Sequence, residues 1–291
     1  MKSITHQITG YGGVKLHVRE AGNPDGPPLL LIHGWSQHHL SWSKQFNGSL
    51  AKRFRLIAPD LRGHGASDKP LEPHHYDCAA PWADDIRAVI RDLSLENPLL
   101  VGWSMGGRSV MDYLSIHGDD AISGAALIGA SVMAPGDPEV LTERSPAVKA
   151  EGMYSLDQGV ALTSTIAFLR ACFAAPLSKQ DLALMTGFNM LVPPQIRKAA
   201  RLRIGNGEDA AMQHMTKPVA IFWGEAEKVC SRAMFDATTA ALPDAAVFTY
   251  PGAGHAPFWE RPDAFDTDLA SFADTAFTRI APLQAAQGAI A

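Results

Sequence analysis

Gly102-Trp103-Ser104-Met105-Gly106-Gly107 follows an apolar run, Leu99-Leu100-Val101, and leads into residues at helical spacing, Val110, Met111, Tyr113 and Leu114. A serine set between glycines where a strand turns into a helix has the pattern of a nucleophile elbow. Such a turn forces the serine backbone into a strained conformation, and bulky neighbours two residues to either side would clash. Glycine at 102 and 106 removes that clash. The Ser104 hydroxyl is therefore expected to stand exposed at the carboxyl end of a strand.

Outward from this turn, strand-like runs alternate with helical patterns. The runs fall at 29–32, 55–58, 99–101, 124–128, 219–223 and 246–250, and helical spacing occupies 39–52, 83–95, 105–117, 231–242 and 262–277. The stretch from Ser3 to Glu20 predicts two further short antiparallel strands joined at Gly10-Tyr11-Gly12-Gly13. Alternation of this kind calls for an α/β fold, a mostly parallel eight-stranded sheet flanked by helices on both faces. Ligands of such sheets bind beyond the strand carboxyl ends. His33-Gly34, Ser104, Gly224 and His255 all fall at such ends.

Residues 132–215 break the rhythm. Apolar residues recur there at helical spacing in 160–173, 182–190 and 196–204, punctuated by Pro135, Pro138, Pro146, Pro176, Pro193 and Pro194. This predicts a helical insertion after the sixth strand. Met133, Met153, Phe168, Phe173, Phe188 and Met190 give it the content of a lid with an apolar underside. The core is then 1–131 with 216–280, and the Ala- and Gln-rich residues 281–291 form a frayed or loosely docked tail.

Composition bounds the function. A chain of 291 residues, 46% hydrophobic, can bury a large core as one domain with an inserted subdomain. Lys and Arg number 25 against 30 Asp and Glu, a formal charge of −5, and no basic run interleaves with aromatics. Nucleic acid is not an expected partner. Cys78, Cys172 and Cys230 have no ligand spacing and read as reduced thiols, buried or half-buried, in a reducing compartment. The first residues lack the apolar core of a signal peptide, and no apolar stretch is long enough to span a bilayer. A cytoplasmic protein that avoids membranes, monomer or homodimer, is expected. No metal, nucleotide or flavin motif is visible, so no cofactor is expected.

Three more stretches join the elbow. Leu29-Leu30-Leu31-Ile32-His33-Gly34-Trp35 is a buried strand running into a His-Gly turn. Ala58-Pro59-Asp60-Leu61-Arg62-Gly63-His64-Gly65-Ala66-Ser67-Asp68 is a strand end followed by a glycine-rich turn. Gly252-Ala253-Gly254-His255-Ala256-Pro257-Phe258-Trp259-Glu260-Arg261-Pro262 puts a histidine in a loop after another strand. In this order the four resemble the α/β-hydrolase family, more narrowly the capped bacterial esterases grouped with cofactor-free haloperoxidases and perhydrolases. The resemblance runs from about residue 14 to about residue 276. It implies a cap over the active site at 132–215. It also implies a serine carboxylesterase that cleaves small-molecule esters of short to medium acyl chain through an acyl-serine. Perhydrolase, haloperoxidase or lactonase chemistry is the alternative, and a non-catalytic receptor a remoter one. Ser36 stands where the peroxide-using relatives often have proline. The resemblance assigns His33, Asp60 and Arg62 structural roles.

A serine hydroxyl needs a base, and histidine is suited to it near neutral pH. Of eleven histidines only His117, His214 and His255 follow the serine, as the chain order Ser, acid, His requires. His117 falls about 18 Å along the elbow helix and His214 at the exit of the insertion, which leaves His255. The acid in relatives is usually Asp three residues after the glycine ending the penultimate strand. Here that position is Glu227, with Glu225 as runner-up. The oxyanion hole needs two backbone donors. The Met105 amide, at the start of the elbow helix, and the Trp35 amide, after His33-Gly34, are the candidates.

Overall fold

The apolar runs are the strands of a single sheet. In the computed structural model, which describes residues 3–130, 150–202 and 214–278, they are β1 (Ile4–Thr9), β2 (Lys15–Gly22), β3 (Pro28–Ile32), β4 (Arg55–Pro59), β5 (Leu99–Trp103), β6 (Gly124–Ile128), β7 (Val219–Gly224) and β8 (Ala246–Tyr250). The spatial order is β1-β2-β4-β3-β5-β6-β7-β8. β1 pairs antiparallel with β2 and β2 with β4, and every other pairing is parallel. Burial follows position. β5, β6 and β7 are buried at every residue, as strands covered on both faces must be, whereas the edge strand β8 exposes alternate residues and the edge strand β1 buries only Ile8.

The helices are α1 (Ser43–Asn47), α2 (Leu50–Arg53), α3 (Ala79–Asp92), α4 (Met105–His117), α5 (Gln158–Cys172), α6 (Lys179–Met190), α7 (Pro194–Leu202), α8 (Arg232–Ala241), α9 (Pro257–Glu260) and α10 (Pro262–Thr278). Side chains cap three of them: Asp157 accepts the Val160 amide, Ser178 that of Asp181 and Ser231 that of Met234. The single helix expected over 39–52 is instead a 3-10 turn, His39–Trp42, followed by α1 and α2. Gly48 breaks it with extended backbone (φ −91°, ψ −164°), and a Cβ there would lie 2.4 Å from Asp266 Oδ2. The close approach of α10 therefore overrides local propensity.

Register aligns the strand tips that build the site. Ile32 lies opposite Gly102, Trp103 opposite Ile128, and Ile128 opposite Phe222. Between β6 and β7 the described residues hold α5, α6 and α7 and no strand. Met133, Pro135, Pro138, Pro146, Ile204 and the tail 281–291 lie outside the described residues. No described helix is long and apolar enough to cross a membrane.

Candidate active site

Ser104 links β5 to α4 with φ 54° and ψ −117°, a backbone that costs about 1–3 kcal/mol and persists only when its surroundings enforce it. They do. The Ser104 amide donates to Ile128 O at 2.8 Å, and its carbonyl accepts the Gly107 amide at 2.9 Å and the Arg108 amide at 3.3 Å. A Cβ at Gly102 would sit 2.6 Å from Gly107 Cα, and one at Gly106 would sit 2.2 Å from Ile32 O. Both glycines are required because α4 leaves the sheet with no room between the turn and its neighbours.

His255 lies in the loop between β8 and α9. Its Nδ1 is 2.6 Å from Glu227 Oε2, with both side chains about 2–3% exposed. A carboxylate only accepts, so Nδ1 carries a proton. The other oxygen of Glu227 accepts the amides of Val229 at 2.6 Å and Cys230 at 3.2 Å. The imidazole backbone is pinned twice: the His255 amide donates to Cys172 O at 2.9 Å, and the Trp103 indole donates to His255 O at 2.8 Å. Gly129, at φ 51°, lies beneath the ring, where a Cβ would be 2.8 Å from Nδ1. Ser104 and His255 thus flank the same strand tip, Ile128-Gly129. No hydrogen bond joins the side chains of Ser104 and His255 among the described residues. Glu225, the runner-up, is exposed, and His214 is exposed too. His117 bonds to Asp84 Oδ1 at 2.8 Å, away from the site.

The facing loop is 34–37, closed by the Gln37 amide on Gly34 O, with Ser36 at φ 61°. A Cβ on Gly34 would be 3.3 Å from Ser104 Cβ, so the loop lies directly against the serine. Neither the Trp35 nor the Met105 amide donates a hydrogen bond to any described residue. Two buried imidazoles hold this loop. His33 Nε2 accepts the Leu61 amide at 3.0 Å and its Nδ1 meets Gly34 O at 2.8 Å. His64 Nε2 accepts the Ser36 amide at 3.1 Å and its Nδ1 meets Arg62 O at 2.9 Å. Each is therefore the neutral Nδ1–H tautomer. Burial, the dominant cause, lowers both pKa values, that of His64 to about 4.

Asp60 organises the turn below: Oδ1 accepts the amide and Nδ1–H of His39, and Oδ2 accepts the Ala66 amide. Arg62 forks onto Asp85 with contacts of 2.7 and 2.6 Å. Both therefore hold structure, apart from Ser104.

Four contributors escape sequence reasoning. Glu260 clamps the histidine loop to the end of α5 by accepting the amides of Gly254, Ala174 and Ala175. Arg197, 1% exposed, donates to Met153 O, Thr165 Oγ1 and Asn189 O, and its own carbonyl takes the Trp35 indole N–H at 2.9 Å. Gly129 and Cys230 complete the surroundings of the imidazole. Only Glu260 had a signal, its place five residues after His255 in the quoted motif. Among the described residues two groups could ligate a metal ion, His17 with His39 and Asp60, and Glu227 with Cys230 and His255.

The sequence matches the alpha/beta hydrolase fold family model over residues 27–262. Among solved structures it is similar to esterase RhEst1 from Rhodococcus sp. ECU1013, with a TM-score of 0.84, 32% identity, and coverage of 92% of this chain and 98% of that one. It is 38% identical over 137 residues to AB hydrolase superfamily protein YisY of Bacillus subtilis, 46% of this chain and 49% of that one. It is 33% identical over 123 residues to the bifunctional esterase/perhydrolase DCH of Acinetobacter calcoaceticus, 42% of this chain and 44% of that one. The matches span about half the length of these two curated relatives.

Proposed function

We propose a function from one premise: the chain belongs to the alpha/beta hydrolase fold family. The reaction we assign is hydrolysis of carboxylic esters of short to medium acyl chain, with Ser104 as nucleophile, His255 as general base and acid, and Glu227 as the group that orients it. Ser104 Oγ attacks the ester carbonyl while His255 Nε2 takes its proton. The Met105 and Trp35 amides receive the developing oxyanion, where preorganised donors are worth several kcal/mol (about 2.7–4 for one donor). The imidazolium, steadied by Glu227, then protonates the departing alcohol. Water, activated by the same nitrogen, releases the acid from the acyl-serine.

One observation carries this reading. A serine held in a strained, half-buried turn shares a strand tip with an imidazole whose Nδ1 is held 2.6 Å from a buried carboxylate. Residues 132–215 serve as a cap, supported by the contacts of Trp35 with Phe168 (5.4 Å between ring centroids), Tyr154 (6.1 Å) and Arg197. Ser104→Ala should abolish hydrolysis of p-nitrophenyl acetate and butyrate, and a retained rate would end the proposal. Likeness to an esterase/perhydrolase favours one second reading, in which peroxide replaces water at the acyl-serine. Peracid formation from ester and hydrogen peroxide by the native protein, lost in Ser104→Ala, would support it.

A further inference from the structure

We infer that Glu227, Cys230 and His255 form an inhibitory site for a thiophilic divalent cation of the zinc or cadmium class. The inference rests on the reading of His255 and Glu227 given above, to which it adds a means of switching them off. One carboxylate oxygen, one sulfur and one imidazole nitrogen from these residues lie within 4.8 Å of one another. This S, N, O set suits a borderline-soft ion. The second donor group, His17, His39 and Asp60, offers no sulfur and so lacks the ligand a thiophilic ion prefers.

Access favours the first group as well. Glu227 and His255 are almost fully covered, but Cys230 is half-buried and offers the way in. Its Sγ sits 3.4 Å from Gly129 O, the glycine beneath the imidazole. Ligand bonds of 2.0–2.3 Å in a tetrahedron put neighbouring donors about 3.4–3.6 Å apart. The 2.6 Å contact between His255 and Glu227 must then open by less than about 1 Å.

Protons balance simply. The ion bonds to sulfur, to Nδ1 and to the carboxylate; the thiol proton leaves to solvent, and the Nδ1 proton is exchanged through solvent onto Nε2, so one proton leaves in all. Neutral imidazole with a metal on Nδ1 now carries its hydrogen on Nε2. That nitrogen can no longer accept the Ser104 proton, so the ion stops the first chemical step without touching the serine.

The test uses zinc for inhibition and cobalt as a spectroscopic probe. Zinc should inhibit p-nitrophenyl acetate hydrolysis reversibly, with activity restored by a chelator. In Cys230→Ser the concentration for half-inhibition, read against that variant's own metal-free rate, should rise about tenfold or more. Cobalt should give a thiolate charge-transfer band with the native protein and with Ser104→Ala, and none with Cys230→Ser. Cys78→Ser should keep the band. Absence of the band from the native protein, its persistence in Cys230→Ser, or zinc inhibition indifferent to Cys230 would overturn the site. A band in a protein that hydrolyses no ester would uphold the site while removing the esterase reading.

Discussion

At the scale of single residues, steric exclusion and hydrogen bonding decide what each position can be. Gly106 has Ile32 O at 2.2 Å from any Cβ, and backbone in a central strand cannot retreat. Gly106→Ala should therefore displace the β5–α4 turn, removing ester hydrolysis and lowering the thermal midpoint, whereas an unchanged midpoint would mean that the turn has slack. Glu227 is the more discriminating case. Its one oxygen orients His255 and its other is fixed by two amides. Glu227→Gln retains the shape but can present an N–H to Nδ1 and select the wrong tautomer, so kcat should fall by about 10⁴, as in a comparable triad. Glu225→Gln, at an exposed position, should leave kcat unaltered. Steady-state kinetics on both variants separate the two carboxylates. Sequence spacing pointed to position 227, yet it could not tell a buried carboxylate from a solvated one beside Lys228. The difference is made by the amides of Val229 and Cys230, and loop backbone leaves no periodic trace.

At the scale of elements, the strands were legible because burial on two faces demands unbroken apolar runs, and the tip residues follow from them. The helix at 39–52 was misjudged because Gly48 answers to Asp266 in α10, a partner more than 200 residues away. Arg197 was invisible for the same reason. Its partners come from Met153, α5 and α6, and an arginine at helical spacing ordinarily reads as a solvated face. Buried carbonyls left without a donor cost about 1–3 kcal/mol each. Arg197→Met should thus destabilise the α5–α7 segment by about 3 kcal/mol or more. Limited proteolysis should cut within 150–202 faster in that variant, while the sheet keeps its thermal midpoint. Trp35→Phe tests the joint between this segment and the serine-facing loop. It keeps a ring against Phe168 but loses the bond to Arg197 O. KM should rise more than kcat falls if the joint positions substrate, and a fall in kcat with KM unchanged would place its role in the transition state.

At the scale of the whole molecule, the same histidines that shape the loop at 34–37 set the response to acid. In an unfolded chain a histidine takes up its proton near pH 6.5. In the fold His64 holds off until about pH 4 because it is fully buried, an effect that outweighs the Arg62 carbonyl on its Nδ1. His38, stacked 5.3 Å from Phe188, is likewise lowered by burial to about 4, and burial also holds His33 well below its ordinary value. Between these limits the unfolded state binds more protons than the folded one, so stability declines as pH falls from about 6.5 to about 4 and is fully present above that window. His64 alone accounts for about 3 kcal/mol of that decline. Asp85 and Asp266, raised by burial, act in the opposite sense at the lower edge. Urea unfolding followed by tryptophan fluorescence should show a midpoint that drops between about pH 7 and about pH 5. His64→Gln, whose side-chain carbonyl can still accept the Ser36 amide, has no proton to gain and should drop by visibly less. Equal drops in both proteins would mean that acid acts elsewhere, and that the neutral imidazoles behind the serine-facing loop do not limit its tolerance of low pH.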